Sequence, residues 1–198
     1  DNEVLVINKP SGLAVHKGSG LTFGLIEILR VLRPKAKFLE LVHRLDRDTS
    51  GCLMLAKTPY TLKKIQAALY SGDVDKRYLA LVSGHWDHGT IEVTAPLRKN
   101  MLRGGERMVT VSTDGKKALS RFQPITITSQ ASLVEVQIST GRTHQIRVHA
   151  AYVEHPIAGD AKYGNETFNR NMHKLGLKRL FLHAHSLAVD VGNRELTA

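Results

Sequence analysis

The segment His43-Arg44-Leu45-Asp46-Arg47-Asp48-Thr49-Ser50-Gly51 lies between two short apolar runs, residues 38–42 and 52–56. Apolar runs of this length around a polar segment that ends in Ser-Gly predict a strand, a loop and a second strand. The loop combines two arginines, two aspartates, a histidine and two hydroxyl groups. Loops held on a rigid frame are frequent sites of binding and catalysis. The alternative is a solvated turn in which the arginines and aspartates form exposed ion pairs, which contribute little to stability.

The composition indicates a globular protein that is strongly basic. Hydrophobic residues make up 42% and charged residues 23% of the 198 residues, which is ordinary for a folded domain. Subtracting 18 acidic from 28 basic residues leaves a net charge of +10. An excess of this size on a small domain predicts a polyanionic partner. Aromatic residues are few, at 6%, which argues against a surface of many base-stacking platforms. The charge therefore favours a nucleic acid as partner.

We expect neither a membrane partner nor a disulfide framework. No apolar run reaches the roughly 18 residues of a membrane-spanning helix. Cys52 is the one cysteine, and its apolar neighbours predict a small buried hydrophobic residue. A lone thiol is compatible with the cytoplasm, which is the compartment we expect. The chain starts directly in a strand-like run and ends as abruptly, which suggests a fragment of a longer protein.

Periodic patterns predict helices mainly in the first part of the chain and strands in the rest. Thr22 is the predicted N-cap of a helix over 22–32, and a second helix follows Thr58 and ends before Gly72. Thr143 is the predicted cap of a helix that continues to about Val153. The predicted strands are residues 3–7, 38–42, 52–56, 76–82, 90–94, 108–112, 117–128, 132–139 and 180–189. Without a repeat or a linker, we expect one domain over residues 1–198.

Two other segments have polar patterns that a function could use. Residues 96–107 contain four basic residues beside Gly104-Gly105, which predicts a mobile basic loop or hairpin. This segment is a candidate to grip RNA, and a plain solvated hairpin is an equal alternative. The turn that follows the first strand contains Lys9, which we expect to be solvated.

The loop at 43–51 resembles the signature loop of the pseudouridine synthases related to the ribosomal large subunit enzymes, with seven specified positions among nine. Further stretches match motifs of that family in the same order along the chain: residues 4–16, 76–80, 141–149, 155–164 and 182–184. In this family the aspartate of the loop is catalytic, and that role falls here on Asp46 and not on Asp48. The arginine just upstream, here Arg44, is implicated in displacing the target base.

The resemblance also implies roles for residues outside the loop. The ring of Tyr78 would pack on the target uracil and is a candidate for removing the proton from its C5 atom. Arg147 would pair with the catalytic aspartate, and Ile146 would line the base pocket. His43 and Arg142 lie in the same motifs, and we expect both to contact the substrate.

The implied reaction converts uridine to pseudouridine: the N1–C1′ bond breaks, the uracil rotates, and its C5 atom joins the sugar. No electrons or groups enter from outside, so we expect no metal and no other cofactor. The carboxylate acts at the sugar, either by attacking C1′ or by removing the C2′ proton, and both routes stay open. A buried arginine would keep this carboxylate ionised against desolvation. Taking the nucleotide out of its stack costs roughly a few kcal/mol, and Arg44 would fill the gap.

The implied architecture is α+β, with a long mixed, mainly antiparallel sheet, flanking helices and a central active-site cleft. Residues 18–34 resemble a subgroup whose substrate is 23S ribosomal RNA, although relatives that act on transfer RNA share every catalytic motif. Many members carry a small S4-type RNA-binding domain upstream, and we expect this chain to correspond to the catalytic domain alone. We expect a monomer.

Two other classes of function stay open. A non-catalytic RNA-binding module could keep this fold, although such a module gains nothing from the Asp46 carboxylate facing phosphates. A hydrolase with a carboxylate nucleophile needs a second carboxylate about 5–9 Å away, a role that the resemblance does not give to Asp48. The histidines lack the spacing of a metal site, so we expect hydrogen-bonding roles for His43, His144, His149, His183 and His185.

Overall fold

The computed structural model describes residues 1–17, 23–101, 107–191 and 195–198. These residues form two compact units: Asp1–Lys76 with His183–Ala198, and Arg77–Leu182. The predicted cap Thr22 and the Gly104-Gly105 pair of the basic segment lie outside the described residues.

Eleven strands and four helices lie within the described residues. The helices are α1 (Leu25–Leu32), α2 (Pro59–Ser71), α3 (Gln145–Tyr152) and α4 (Glu166–Lys174). The strands are β1 (Val4–Lys9), β2 (Glu40–Leu41), β3 (Ser50–Ala56), β4 (Val74–Ser83), β5 (Ile91–Thr94), β6 (Leu97–Met101), β7 (Arg107–Val111), β8 (Leu119–Ile127), β9 (Ala131–Ile138), β10 (Leu182–Asp190) and β11 (Glu195–Thr197). The sequence patterns do not predict β11.

The first unit is built around β3, whose seven residues are all buried. Antiparallel partners of β3 are β1 and β2, whereas β10 pairs with it in parallel. The helix α2 packs Ile65 into this core, and its ends are as predicted. Thr58 caps the first turn by accepting the Thr61 N–H at 3.1 Å, and Gly72 ends the helix with a φ of +94°.

The first helix begins later than predicted. Gly24 stands at the N-cap position of α1, so the expectation of a helix from Thr22 is wrong. The Glu27 carboxylate accepts the N–H of Gly24 at 2.8 Å and that of Lys17 at 3.2 Å. A carboxylate that reaches back in this way satisfies the first backbone donors, which lets the helix start at Leu25.

In the second unit, four antiparallel strands follow the order β4, β9, β8, β5. Trp86 and Phe122 are fully buried beside this sheet and stack with ring centres 5.7 Å apart. The strands β6 and β7 form a separate antiparallel hairpin of five residue pairs, which confirms the prediction of a hairpin for the basic segment. Buried Leu97 and Val109 of this hairpin pack with Val148 of α3.

The fold class is α+β with mixed, mainly antiparallel strand pairing, as predicted. The central cleft stays a prediction. Across the described ranges, none of the helices combines the length and the apolar character needed to cross a membrane.

Candidate active site

The signature loop connects two paired strands of the first unit. Because β2 and β3 pair antiparallel, residues 42–49 form the connection between them. Thr49 is buried, and its N–H donates to the carbonyl oxygen of Asp46 at 3.2 Å. Asp46 itself is partly buried, whereas the Arg44 side chain is exposed. The predicted strand, loop and strand are confirmed, and the loop contains a partly buried aspartate two positions after an exposed arginine.

Lys9 anchors one side of this loop. Its side chain is fully buried, and Nζ donates to the carbonyl oxygens of Pro10, Leu13 and Arg47 at 2.8–2.9 Å. Burial lowers the pKa of Lys9 to about 8, against the opposing effect of two aspartate charges in the loop. The expectation of a solvated lysine is therefore wrong. Three carbonyl groups replace the water that would otherwise surround the ammonium group.

The turn that follows Lys9 holds the loop through two more hydrogen bonds. The Gly12 N–H donates to the Arg47 carbonyl oxygen at 2.9 Å, and the Ser11 hydroxyl donates to that of Asp48 at 2.6 Å. Gly12 has a φ of +87°, a conformation that favours glycine. The carbonyl groups of the two residues that follow Asp46 are therefore fixed by the first turn of the chain.

The other end of the loop is fixed by β10. Ser50 Oγ lies 2.9 Å from Nδ1 of His183. Gly51 has a φ of +110°, and a Cβ atom there would lie 2.2 Å from the Ala184 carbonyl oxygen. Any side chain would collide with this backbone, which explains the glycine that ends the motif. Of the ion pairs expected of a solvated turn, Arg47–Asp48 is present at 3.2 Å.

His43 is the first residue of the signature loop, and its imidazole is neutral. Its Nε2 accepts a hydrogen bond from the Met54 N–H on β3 at 3.1 Å. Burial, together with the positive charge of Lys76, lowers the pKa of His43 to about 4. The side chain is therefore uncharged at neutral pH. Its contact with a substrate stays a prediction.

In the second unit, Arg147 forms a buried ion pair with Asp160. The Nε and Nη2 atoms of Arg147 donate to the two carboxylate oxygens of Asp160 at 2.7 and 2.8 Å, and both residues are buried. Burial would raise the pKa of Asp160, but the hydrogen bonds and charge of Arg147 outweigh it, so the pKa lies below its usual value. The N–H groups of Lys162 and Tyr163 add two further bonds at 2.9 and 3.0 Å. A bidentate pair of this kind fixes the plane of the guanidinium group.

Tyr163 connects Arg147 to the hairpin. The guanidinium carbon of Arg147 lies 5.1 Å from the centre of the Tyr163 ring. The Tyr163 hydroxyl oxygen accepts the Val109 N–H of β7 at 3.0 Å and lies 2.8 Å from Nδ1 of His144. The arginine, the start of α3 and the hairpin are thus connected within this unit.

Gln145 organises the turn that precedes α3. Its Oε1 accepts from the Thr140 hydroxyl at 2.7 Å and from the Arg142 N–H at 3.0 Å, while Nε2 donates to two oxygens of β8 at 2.9 and 3.0 Å. The prediction that Thr143 caps this helix is wrong. The N-cap position is occupied by His144 with a left-handed φ of +54°, and the Gln145 side chain holds the turn instead.

The other predicted site residues of the second unit lie on different elements. Tyr78 is buried on β4, opposite Val136 of β9. Ile146 is buried in the first turn of α3, beside Arg147. Arg142 is exposed, and its Nε donates to the Lys117 carbonyl oxygen at 3.0 Å.

The histidines serve as hydrogen-bonding groups. His149 is fully buried between the Ser120 hydroxyl and the Ala95 carbonyl oxygen, each 2.9 Å away. Together with the bonds of His43, His144 and His183, this confirms the prediction for four of the five. In the part of the chain that the structure describes, no three His, Cys, Asp or Glu side chains are grouped to hold a metal ion.

Comparison with known proteins identifies the family. A family model described as RNA pseudouridylate synthase matches residues 3–152. The chain belongs to this family. Two solved human structures, RNA pseudouridylate synthase domain containing 1 and 4, cover the whole chain with TM-scores of 0.81 and 0.79 and identities of 25% and 30%. The chain covers 79% and 84% of those two proteins, so the similarity extends over most of both folds.

Curated relatives of this chain are similar in sequence as well. It is 56% identical to the ribosomal large subunit pseudouridine synthase C of Pasteurella multocida and 53% identical to that of Escherichia coli. These alignments cover 96% and 94% of this chain. The chain spans 58% and 59% of the lengths of those two relatives.

Sequence reasoning missed the groups that hold the predicted residues in place. Asp160 follows a glycine in a turn-rich stretch, which marks a turn and gives no sign of a buried carboxylate. Gln145 stands inside a family motif, and nothing in its neighbours indicates that its side chain holds a turn. For Lys9 the sequence does contain a signal, because a basic residue directly after an apolar strand can indicate a buried ammonium group.

We predict that Lys9→Met loosens the signature loop. The substitution removes the donors to three partly buried carbonyl groups, of which that of Arg47 keeps the Gly12 N–H. A carbonyl group left without a partner costs about 1–3 kcal/mol, offset in part by the charge that no longer has to be buried. We expect a net loss of unfolding free energy in urea titrations and faster amide hydrogen exchange at residues 47–49. Lys35→Met, at an exposed lysine, is the control. Unchanged exchange at 47–49 would contradict the anchoring role.

We predict that acid destabilises the protein through His43. The folded pKa is about 4, below the ordinary value of about 6.5, so the unfolded chain takes up its proton first as the pH falls. The unfolding free energy should therefore decrease from about pH 6.5 towards pH 4, by up to about 1.4 kcal/mol per pH unit. His43→Asn should flatten this slope in urea titrations, and His185→Asn should keep it. Equal slopes in both variants would exclude His43 as the source.

We predict that Asp160→Asn destabilises the second unit strongly. Removing one partner of a buried ion pair costs about 3–5 kcal/mol, because the bidentate contact of the Arg147 guanidinium group is lost inside the fold. Glu135→Gln breaks a more exposed pair with Arg77 and should cost about 1 kcal/mol or less. Urea unfolding of both variants measures the difference. Similar small losses in the two variants would show that the buried pair is not needed for stability.

Proposed function

We propose that this chain is the catalytic part of an enzyme that isomerises specific uridines of 23S ribosomal RNA to pseudouridine. Membership of the RNA pseudouridylate synthase family supports the reaction, and the names of the curated relatives support a ribosomal substrate. The net charge of +10 suits a polyanion. The observation that carries the proposal is the signature loop, which presents Asp46 on a turn held at both ends by partly buried hydrogen bonds.

In this proposal Asp46 acts at the sugar of the target uridine. Its carboxylate either attacks C1′ or removes the C2′ proton, and the N1–C1′ bond breaks. The detached uracil rotates, and its C5 atom bonds to C1′ while the bond from Asp46 to C1′ breaks or, in the second route, the C2′ proton returns to the sugar. The C5 proton then leaves and N1 takes up a proton from solvent. The product is an isomer of the substrate, so the reaction consumes no second substrate and needs no cofactor. A fixed carboxylate suits this chemistry because orientation contributes much of the rate.

Arg147 and Tyr78 are the proposed partners of Asp46 in the reaction. An arginine is always charged, so Arg147 would favour the ionised form of the Asp46 carboxylate. The Asp160 carboxylate orients this guanidinium before any substrate arrives. The Tyr78 ring would hold the detached uracil while it turns and would assist removal of the C5 proton.

The remaining predicted residues would bind the RNA. Arg44 is exposed two positions before Asp46, where its planar cation can replace the displaced base in the stack and contact a phosphate. Ile146 would line the base pocket, and His43 and Arg142 would contact the substrate nearby. We further propose that residues 1–198 act as one catalytic domain, as a monomer in the cytoplasm.

The test uses unmodified 23S ribosomal RNA with tritium at C5 of its uridines. We predict tritium release by the wild-type chain and a loss of roughly 1,000-fold or more with Asp46→Asn, the order expected when a nucleophile or base is removed. Asp48→Asn is the matched control, because it neutralises the neighbouring aspartate of the same loop and should retain release.

Two results would contradict the proposal. Tritium release that survives Asp46→Asn but not Asp48→Asn would assign the catalytic role to Asp48 and not to Asp46. Binding of the RNA without release by the wild type would indicate a non-catalytic binding module. A parallel assay with tritiated transfer RNA tests the substrate, since release from that RNA alone would overturn the assignment to 23S ribosomal RNA.

A further inference from the structure

A cationic pocket of about 340 Å³ lies in the second unit, between the base of the β6–β7 hairpin and the turn before α3. Its lining includes buried Leu97 and Val109. Four basic side chains and one carboxylate complete the charged part of the lining: Arg98, Lys99, Lys116, Arg142 and Asp114. The balance of four positive charges against one negative charge marks a site for an anionic ligand.

The charges of this pocket are only weakly neutralised by one another. Arg98 and Asp114 approach to 3.7 Å, with 52% and 81% of their side chains exposed. A long pair between such exposed groups contributes little. Arg142 uses Nε to contact the Lys117 carbonyl oxygen, and this bond involves neither of its terminal amino groups. The guanidinium group is thereby oriented by the backbone.

The backbone that forms the pocket is held in place before any ligand binds. Leu97 and Lys116 exchange two hydrogen bonds of 2.9 and 2.8 Å between their main chains. At Gly115 a Cβ atom would lie 2.6 Å from the Leu97 backbone nitrogen, so the two segments are in close contact. A pocket that is already formed loses little conformational entropy when a ligand binds to it.

The size of the pocket restricts what it can hold. Ligand pockets run from roughly 300 to 1,000 Å³, and this one lies at the small end. A single nucleotide fits such a volume, whereas a duplex does not. The turn that carries Arg142 leads directly into α3, on which Arg147 lies five residues later. A nucleotide in the pocket would therefore be a near neighbour, along the RNA strand, of the target uridine on which Arg147 is proposed to act.

We propose that this pocket binds one nucleotide of the RNA substrate, on the strand that flanks the target uridine. The phosphates contact Arg98, Lys116 and Arg142, and the sugar or base lies towards Leu97 and Val109. This assignment rests on the proposed function, because it places the flanking strand of the same substrate. The pocket contributes to the affinity and register of the RNA, not to bond breaking.

The experiment measures both binding and turnover of unmodified 23S ribosomal RNA over a range of salt concentrations. We expect Arg98→Gln and Lys116→Gln to raise Kd and KM about threefold to tenfold with kcat unchanged. Each variant should also reduce the slope of log Kd against log salt by about 0.7–0.9 for every phosphate that it no longer binds. Asp114→Asn removes the opposing charge, so it should lower Kd and KM. Arg170→Gln, at an exposed arginine of α4 outside the pocket, should change neither.

The opposite effects of removing a positive and a negative charge distinguish ligand binding from a merely structural role. Pocket variants that bind RNA like Arg170→Gln would overturn the proposal, even if the wild type releases tritium. If these variants bind RNA more weakly but the wild type releases no tritium, the pocket binds RNA and the proposed isomerase function is rejected. Uridine monophosphate is the third arm. If it inhibits the wild type in competition with the RNA but does not inhibit Lys116→Gln at millimolar concentration, it displaces a nucleotide of the RNA from this pocket, which supports the proposal.

Discussion

Three backbone carbonyl groups inside the first unit share a single ammonium group, that of Lys9. Buried polar groups are tolerated only when each has a partner, so the first turn of the chain and the signature loop stabilise one another. The loop's remaining bonds to Ser11, Gly12 and β10 follow from this arrangement. The Asp46 carboxylate is thereby held on a rigid support although it lies on a loop, which is the condition that its proposed chemistry demands.

The second unit uses a buried charge in the same way. Asp160 accepts two bonds from Arg147 and two from backbone N–H groups, so both charges are satisfied inside the fold. Such a pair is a weak source of stability compared with apolar residues, yet losing one partner is costly. We interpret the pair as a device that orients a permanent positive charge. Tyr163 extends it to the hairpin, where the cationic pocket lies.

The sequence predicted the features that depend on neighbouring residues and missed those that depend on distant ones. The caps of α2, the hairpin around the signature loop and the family resemblance could all be read from local patterns and motifs. Lys9 reaches Arg47 across 38 positions and Arg147 reaches Asp160 across 13, and neither periodicity nor turn chemistry reveals contacts at such separations. The start of α3 was misplaced for a related reason, because that turn is held not by a threonine cap but by the Gln145 side chain, which also donates to Leu119 and Ser120, 26 and 25 positions away.

The central claim is that the chain isomerises uridine without adding or losing atoms. The most direct measurement digests 23S ribosomal RNA to nucleosides after incubation with the wild-type chain and separates them by liquid chromatography with mass detection. We predict that uridine decreases, that a nucleoside of the same mass and different retention appears in equal amount, and that no free uracil is found. Free uracil with abasic sites in the RNA would identify a hydrolase and contradict the account, as would an unchanged nucleoside profile despite bound RNA.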